Sequence, residues 1–595
     1  MIQRFNKSYS EVLDEIKSRD KIKIPTINIS VLRNITLEPF LDTFLKYFLL
    51  QIGYKLNIKF GQYDNVFQEA VSGNPDILNE TTDYILVFLH LETFSNRLCR
   101  NYAALEDNEI EDEKNRIINY IERVLGGIRI QTKAVILWCG FETPVFPLGG
   151  ILHSQSNLSQ TEAINNLNSQ IKIILNNTEN AYFIDINLCL ARLGYSVFYD
   201  KRLWYAAHAP YSKEACKELS FELFKYIKTL KGKSKKCIIL DCDNVLWGGV
   251  YGEDSLSGIK LGRTYPGLIY YDFQQAVLNL YYCGIIIAIC SKNNEEDVWK
   301  VFRKHPDMAL REEHVSAYRI NWENKAMNIK SIADELNIGL DSIVFIDDSE
   351  HEINLVNQML PQVETILFDI NKGYINRDII ACSGLFDVLH ITNEDKLRGK
   401  MYKSEIQRNN FLQGFIDINS YYNSLEMVVS IYNADSFYIP RIAQLTQRTN
   451  QFNLTTKRYT EDDIKKFVDS IDSDIICLHL QDRFGDFGIV GSCIIKYIDD
   501  TALIDTFLLS CRVLGKKVED VFLMEVIRLA KLKGKKTIIG QYIPADKNAQ
   551  VKNFYQDRGF SIRQVDSDGS IISIYDLDSI EYSIPSFFKK VVRYL

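Results

Sequence analysis

The chain has 595 residues, 46% of them hydrophobic and 25% charged, with 69 lysines and arginines against 77 acids and a net charge of −8. That length fits about three to four domains, and the composition is that of a folded protein rather than a disordered one. Basic residues are spread along the chain, which excludes the concentrated basic face that nucleic-acid binding requires.

No apolar run is long enough for a membrane span, which takes about eighteen residues or more. Residues 1–21 are amphipathic and charged, without an apolar signal core. Twelve cysteines are scattered, many inside apolar strands, and no Cys-x-x-Cys pair occurs. A structural zinc site is therefore not expected, and reduced buried thiols fit the cytoplasm.

In chain order, residues 1–230 show apolar strands at 27–32, 84–89, 134–138 and 182–186, with helical patterns at 37–51 and 109–125. Alternating strand and helix predicts a parallel α/β domain. The lysines of 231–236 mark a solvated linker. A second α/β unit is expected over 236–375, a helical connector over 376–424, and a third unit, of α+β type, over 425–595. In the third unit strands at 475–480, 489–497 and 502–509 read as antiparallel, with Asp499-Asp500 as a hairpin turn. A helix at 518–532 and a strand at 537–541 follow.

The chemistry concentrates in the second unit. Ile238-Ile239-Leu240 runs straight into Asp241-Cys242-Asp243, followed by Gly248-Gly249. An apolar strand that ends in acids delivers them to the open edge of an α/β sheet. Two carboxylates held that close need a cation or a shared proton, and Mg²⁺ prefers oxygen ligands of this kind. The strand 285–290 then leads to Ser291, Lys325 precedes a helix at 329–336, and the strand 342–346 ends in Asp347-Asp348. This inventory suits phosphoryl transfer through an aspartyl-phosphate with one bound Mg²⁺.

Fifty positions separate Asp241 from Ser291, thirty-four Ser291 from Lys325, and twenty-two Lys325 from Asp347. A βαβ unit alone takes about thirty residues, so no interval holds a lid domain. The site is then open to a macromolecule or covered by another domain. Residues 252–263 read as a small flap, with Arg263 and Tyr265 either within reach of a substrate or simply solvated.

These four motifs resemble those of haloacid-dehalogenase-superfamily phosphotransferases of the capless kind, with a Rossmann-like core. The resemblance implies Asp241 as nucleophile, Asp243 as general acid/base, and Ser291 and Lys325 as holders of the phosphate oxygens. It implies Mg²⁺ ligation by Asp241, the Asp243 carbonyl and Asp347, with Asp348 acting through water. The runs Asp-Cys-Asp-Asn-Val-Leu-Trp-Gly-Gly, Cys-Ser-Lys-Asn-Asn, Asn-Trp-x-x-Lys and Phe-Ile-Asp-Asp-Ser-Glu-x-Glu are more closely similar to the FkbH-like family. That implies capture of a glyceryl unit from 1,3-bisphosphoglycerate, release of phosphate, and loading of an acyl carrier protein for polyketide or related biosynthesis.

Cys242 has two readings. As a thiol between the two acids it could hold a glyceryl thioester. As an alternate residue on a strand it faces away from Asp241 into the core.

The first unit resembles an SGNH-hydrolase-like domain, but Ile35 stands where the nucleophilic serine is expected, and His208 has no acid three residues before it. A non-catalytic scaffold or docking module is expected there. The third unit resembles a GNAT-like acyltransferase. There Arg512 and Gly515 match a turn that cradles the phosphates of a coenzyme A or phosphopantetheine thiol carrier. Lys517 replaces the usual small residue of that turn. Tyr555 occupies the place of a general acid. The polar run 448–456, with Asn450 and Asn453, reads either as a groove for phosphopantetheine or as a capped loop, and 482–488 is a second such segment. The alternatives to glyceryl transfer are a plain phosphatase of surface-glycan synthesis and a non-enzymatic carrier-docking protein.

Overall fold

The computed structural model describes residues 7–19, 22–38, 40–155, 159–392, single positions between 395 and 415, 417–545, 547–578 and 585–594. The chain divides into two compact units, Gln3–Lys228 and Thr229–Leu595. Sixteen of the 49 residues of the connector expected at 376–424 lie outside the described residues, as do parts of residues 1–21. No helix among the described residues is long and apolar enough to cross a membrane.

The first unit is built on one sheet of five strands: β1 (Thr26–Arg33), β2 (Lys55–Phe60), β3 (Tyr84–Phe88), β4 (Val135–Cys139) and β5 (Ala181–Ile184). Their order is β2-β1-β3-β4-β5 and every neighbouring pair is parallel. β1, β3 and β4 are almost wholly buried, which is why they read as unbroken apolar runs. β2 escapes sequence reading because Lys55, Asn57 and Lys59 alternate with its apolar residues, as suits a half-exposed edge strand. Helix Asp107–Gln131 opens with a capping box formed by Glu106 and Glu109. It buries Ile110, Ile117, Ile121, Val124 and Ile128 along one face.

The second unit holds two sheets. The first comprises β6 (Cys237–Leu240), β7 (Ile286–Ser291), β8 (Val315–Ile320), β9 (Ile343–Asp347) and β10 (Glu364–Leu367). It is all parallel, in the order β10-β9-β6-β7-β8. The chain leaves β6 toward β7 and β8, then returns to the other side for β9 and β10. β6 is thus where the winding reverses, and in such sheets ligands bind beyond the carboxyl ends of the strands at that point. Between β6 and β7 lie only two helices, Tyr251–Gly258 and Gly267–Tyr282.

The other sheet has eight strands: β11 (Val428–Asn433), β12 (Ser473–Asp482), β13 (Gly485–Ile498), β14 (Thr501–Leu509), β15 (Thr537–Tyr542), β16 (Ser561–Val565), β17 (Ile571–Asp576) and β18 (Lys590–Tyr594). Their order is β16-β17-β15-β14-β13-β12-β11-β18. β11 to β14 are antiparallel neighbours, and Asp499-Asp500 makes the two-residue turn between β13 and β14. β14 and β15 are parallel, joined through helix Val518–Leu532. They pair only from Thr501↔Thr537 to Ile504↔Gly540 and then part.

Candidate active site

β6 is buried on both faces between β7 and β9, and its exit carries Asp241. The Asp241 amide donates to Ile346 O at 3.0 Å, so the strand pairing itself sets the residue's position. The adjacent strand β9 ends at Asp347, which is completely buried, and Asp348 follows. One carboxylate oxygen from each of Asp241, Asp347 and Asp348 lies within 4.8 Å of the others.

Lys325 enters this cluster from the first turn of helix Lys325–Glu335. Asn324 caps that helix by accepting from the Ala326 and Met327 amides. Lys325 Nζ lies 2.8 Å from Asp241 Oδ2 and 2.5 Å from Asp347 Oδ2. Burial opposes charge on Lys325, but the two carboxylates outweigh it and raise its pKa. Burial and then the neighbouring Asp241 push the Asp347 carboxyl up to about 6, against the pull of Lys325. The same two causes raise Asp348. Each acid alone would be costly to bury; a cation among them is what makes the arrangement stable. The donor set, three carboxylates of hard oxygen, fits Mg²⁺.

Asp243 is oriented differently. Its Oδ1 accepts from Trp247 Nε1 at 2.8 Å and from the Tyr251 amide at 3.1 Å, and its Oδ2 accepts from Asn293 Nδ2 at 2.8 Å. Its carboxylate stands outside the cluster of Asp241, Asp347 and Asp348. Asn293 also reaches Ser291 Oγ at 3.4 Å, so it links the two residues that flank the acids. Sequence reading quotes Asn293 within its motif but assigns it no role. Asn244 is a second such residue: it takes a positive φ of 58°, accepts from the Gly249 amide at 2.9 Å, and hydrogen-bonds Asp348. Asn293 lies two residues past the end of β7 and Asn244 four past the end of β6, and that nearness to a strand end is the signal in the sequence that could have marked them.

Cys242 is fully buried among Ile238, Leu240 and Val245. Burial first, and Asp241 next, push its thiol far above the ordinary range. Segment 252–263 forms the kinked helix Tyr251–Gly258 and a short return in which Gly248 and Lys260 exchange backbone hydrogen bonds. Arg263 lies over the Tyr271 ring at 4.1 Å, and Tyr265 is exposed.

Of the residues expected to hold a thiol carrier, Asn450 and Arg512 line one cavity of about 610 Å³, while Asn453, Gly515 and Tyr555 stand outside its lining. Where β14 and β15 part, their free backbone groups would suit an amide-rich arm such as phosphopantetheine. Residues of the chain's own polar run fill that gap instead. Leu454 N donates to Phe507 O at 3.2 Å, Leu509 N to Phe452 O at 3.0 Å, and Ile543 N to Leu454 O at 2.8 Å. Asn453 is fully buried; its Oδ1 accepts from the Thr456 amide, and Asn548 donates to its carbonyl. Asn450 accepts from Arg458. Residues 452–454 thus give the gap a backbone partner, while 448–451 line the cavity that Arg512 also lines.

Tyr555 is also buried, with its hydroxyl lacking a hydrogen-bond partner and its ring against Gly540. Arg512 is buried with Nε 3.2 Å from Ser510 Oγ. Gly515 is exposed with a positive φ of 76°, and Lys517 is exposed at the start of helix Val518–Leu532. Segment 482–488 is the β12–β13 turn, where Asp482 pairs with Arg408 through two hydrogen bonds of 2.5 and 2.7 Å.

In the first unit, the exit of β1 puts Ile35 in the core, fully buried. Asn34 is tied to the His90 backbone at 2.7 and 3.1 Å. His208 ends a short helix in the left-handed region, its ring against Trp204 and Tyr63.

No curated protein matches the sequence. Among solved structures, the N-terminal part of BF1531 from Bacteroides fragilis, which contains a phosphatase domain and was solved in complex with Mg, is 25% identical with a TM-score of 0.57. The match covers 64% of this chain and 99% of that one. The ribosomal-protein-S18-alanine N-acetyltransferase from Escherichia coli (14% identity, TM-score 0.21) covers 26% of this chain and 99% of its own. An N-acetyltransferase from Staphylococcus aureus (12%, 0.20) covers 25% and 99%. At those TM-scores the third sheet is described by its own topology alone. The chain is a multi-domain α/β protein, and residues 29–223 of it match the family model of the FkbH N-terminal domain.

Proposed function

We propose that the sheet bearing Asp241 is a Mg²⁺-dependent phosphatase-type centre that accepts 1,3-bisphosphoglycerate, releases phosphate and passes the glyceryl unit to an acyl carrier protein. The observation that carries the reading is Lys325 bridging Asp241 and Asp347, with Asp348 within 4.8 Å of both acids. The phosphatase domain of BF1531, solved with Mg, supports the metal and the phosphate chemistry, and the FkbH N-terminal domain supports the carrier-linked context. Asp241, Asp347, Asp348 and the Asp243 carbonyl would hold the ion. Bound there, Mg²⁺ would neutralise phosphoryl oxygens.

The two fates of an acyl phosphate differ in the atom attacked. If the Asp241 carboxylate attacks the phosphorus of the acyl phosphate, the bond from phosphorus to the acyl oxygen breaks and 3-phosphoglycerate leaves with its activation lost. If a thiolate attacks the C1 carbonyl carbon, the carbon–oxygen bond breaks, phosphate departs with that oxygen, and a 3-phosphoglyceryl thioester forms; a glyceryl thioester then requires hydrolysis of the C3 phosphate ester, with Asp241 attacking that phosphorus and water releasing the phosphate. In either route Lys325 supplies positive charge to the phosphate oxygens. Asp243, held by Trp247, Tyr251 and Asn293, is oriented to exchange a proton with the leaving or attacking group.

Intact-protein mass spectrometry after incubation with Mg²⁺, 1,3-bisphosphoglycerate and an acyl carrier protein tests this in ¹⁸O-water. A glyceryl-sized addition on the carrier is expected, with one unlabelled phosphate from C1 and one labelled phosphate from C3, and Asp241→Asn abolishes that adduct. Labelled phosphate with no adduct defeats the transfer reading.

A second reading, plain hydrolysis of a phosphoester, is favoured by one observation. Cys242 is fully buried with its thiol pKa raised, so the chain offers no exposed thiol beside Asp241. Only the carrier's own thiol would then serve transfer. Label in the phosphate from a simple phosphoester, at a rate exceeding that from the acyl phosphate, would establish this reading.

A further inference from the structure

We propose that the first unit binds a small organic ammonium ion at the carboxyl ends of β3 and β4. A cavity of about 350 Å³ opens there, with His90 and Glu142 in its wall and the rings of Phe146, Tyr195, Tyr199 and Trp204 around them. His90 follows β3 by two residues, and Glu142 follows β4 by three. Both come from the sheet edge where parallel α/β folds place ligands.

Glu142 is an acid without a matching cation. Its side chain is 8% exposed, and among the described residues no lysine or arginine reaches it. The one group of opposite sign nearby is His90, with Nε2 4.0 Å away. The Tyr211 hydroxyl donates a hydrogen bond to it. Burial, and after it the negative charge of Glu142, raise the hydroxyls of Tyr199 and Tyr211 well above the ordinary tyrosine range. A buried carboxylate so placed is stabilised most by a cation.

His90 is 7% exposed and lines the cavity, and its Nδ1 has no hydrogen-bond partner. Buried polar atoms are nearly always satisfied. The other charged residues of the wall are committed elsewhere: Glu92 pairs with Arg100, Asp200 with Arg202, and Lys201 lies over the outer Tyr195 ring at 5.5 Å.

The chemistry selects the class of ligand. One deep carboxylate does not make a metal site, which takes several hard oxygens. Aromatic faces around a carboxylate attract an ammonium through the ring quadrupole. A neutral ligand would leave Glu142 uncompensated.

Isothermal titration of the full-length protein with choline and with ethanolamine tests the assignment. The control is the neutral carbon isostere of choline, with a tert-butyl group in place of trimethylammonium. We expect saturable one-to-one binding of at least one cation, about tenfold or more tighter than the isostere. Glu142→Gln should weaken it about tenfold or more, with unchanged circular dichroism. If that variant does not fold, Trp204→Leu serves in its place, with a loss of several-fold. Absence of saturable binding by both cations, equal binding of the isostere, or binding unaffected by both substitutions overturns the proposal.

Discussion

Two five-stranded parallel sheets in this chain end their strands in opposite ways. In the first unit the exit of β1 turns inward: Ile35 fills the core and Asn34 is consumed by the His90 backbone. In the second unit the exit of β6 delivers Asp241 to a cluster of acids bridged by Lys325. The scaffolds share an architecture, so the difference lies in side-chain chemistry at a few strand ends. A parallel sheet supplies positions for reaction, and residue types with matched charge decide whether reaction follows.

The sharpest way to break this comparison is Asp241→Asn, which keeps shape and removes the carboxylate. Phosphate release should fall about 10³-fold or more, as for loss of a principal charge-stabilising group; a change below tenfold would remove Asp241 from the chemistry. Lys325→Met comes next. It leaves Asp241 and Asp347 facing each other in a buried site, and breaking a buried pair costs about 3–5 kcal/mol. Urea denaturation should show that loss, and added Mg²⁺ should restore part of it by binding the folded state alone. A variant as stable as the parent would mean that Lys325 is not the counter-charge of the cluster.

A smaller effect is expected in the third sheet. A Cβ on Gly540 would lie 2.5 Å from the buried Tyr555 ring. Gly540→Ala should therefore destabilise by about 1–3 kcal/mol, the usual cost of overpacking, read as a lower urea midpoint. The smallest effect is at the β1 exit. Ile35→Ser places a hydroxyl in the core, and among the described residues no ion pair orients His208. Esterase activity toward p-nitrophenyl acetate should stay at background; a burst of nitrophenol would restore the first unit to the hydrolases.

The local sequence made β6 legible. Three aliphatic residues followed by Asp-Cys-Asp announce a buried strand that ends in charge, and Cys242, two residues past that strand, is fully buried. Helix Val518–Leu532 and the Asp499-Asp500 turn were equally legible, since periodicity and turn residues are local. β2 was not, because its lysines interrupt the apolar pattern. Asn293 was not, because its two partners lie on β7 and on the loop after β6, and only folding brings the latter to it. The closing of the β14–β15 gap by 452–454 was not, because those bonds join residues some fifty to ninety positions apart.

By itself the sequence determined that parallel α/β regions and a region of largely antiparallel strands would form, that acids would stand at strand ends of the second region with a lysine at the start of a helix, and that isoleucine follows the first strand. Those are matters of residue type and local periodicity. The tertiary structure alone decided that Lys325 bridges Asp241 and Asp347, that Asp243 faces Asn293 and Trp247, that Tyr555 is sealed, and that a cavity with an uncompensated Glu142 opens beside His90. Each of these depends on the direction of a side chain relative to a distant strand. Such directions are set by packing and electrostatic matching across the whole fold rather than by the residues on either side.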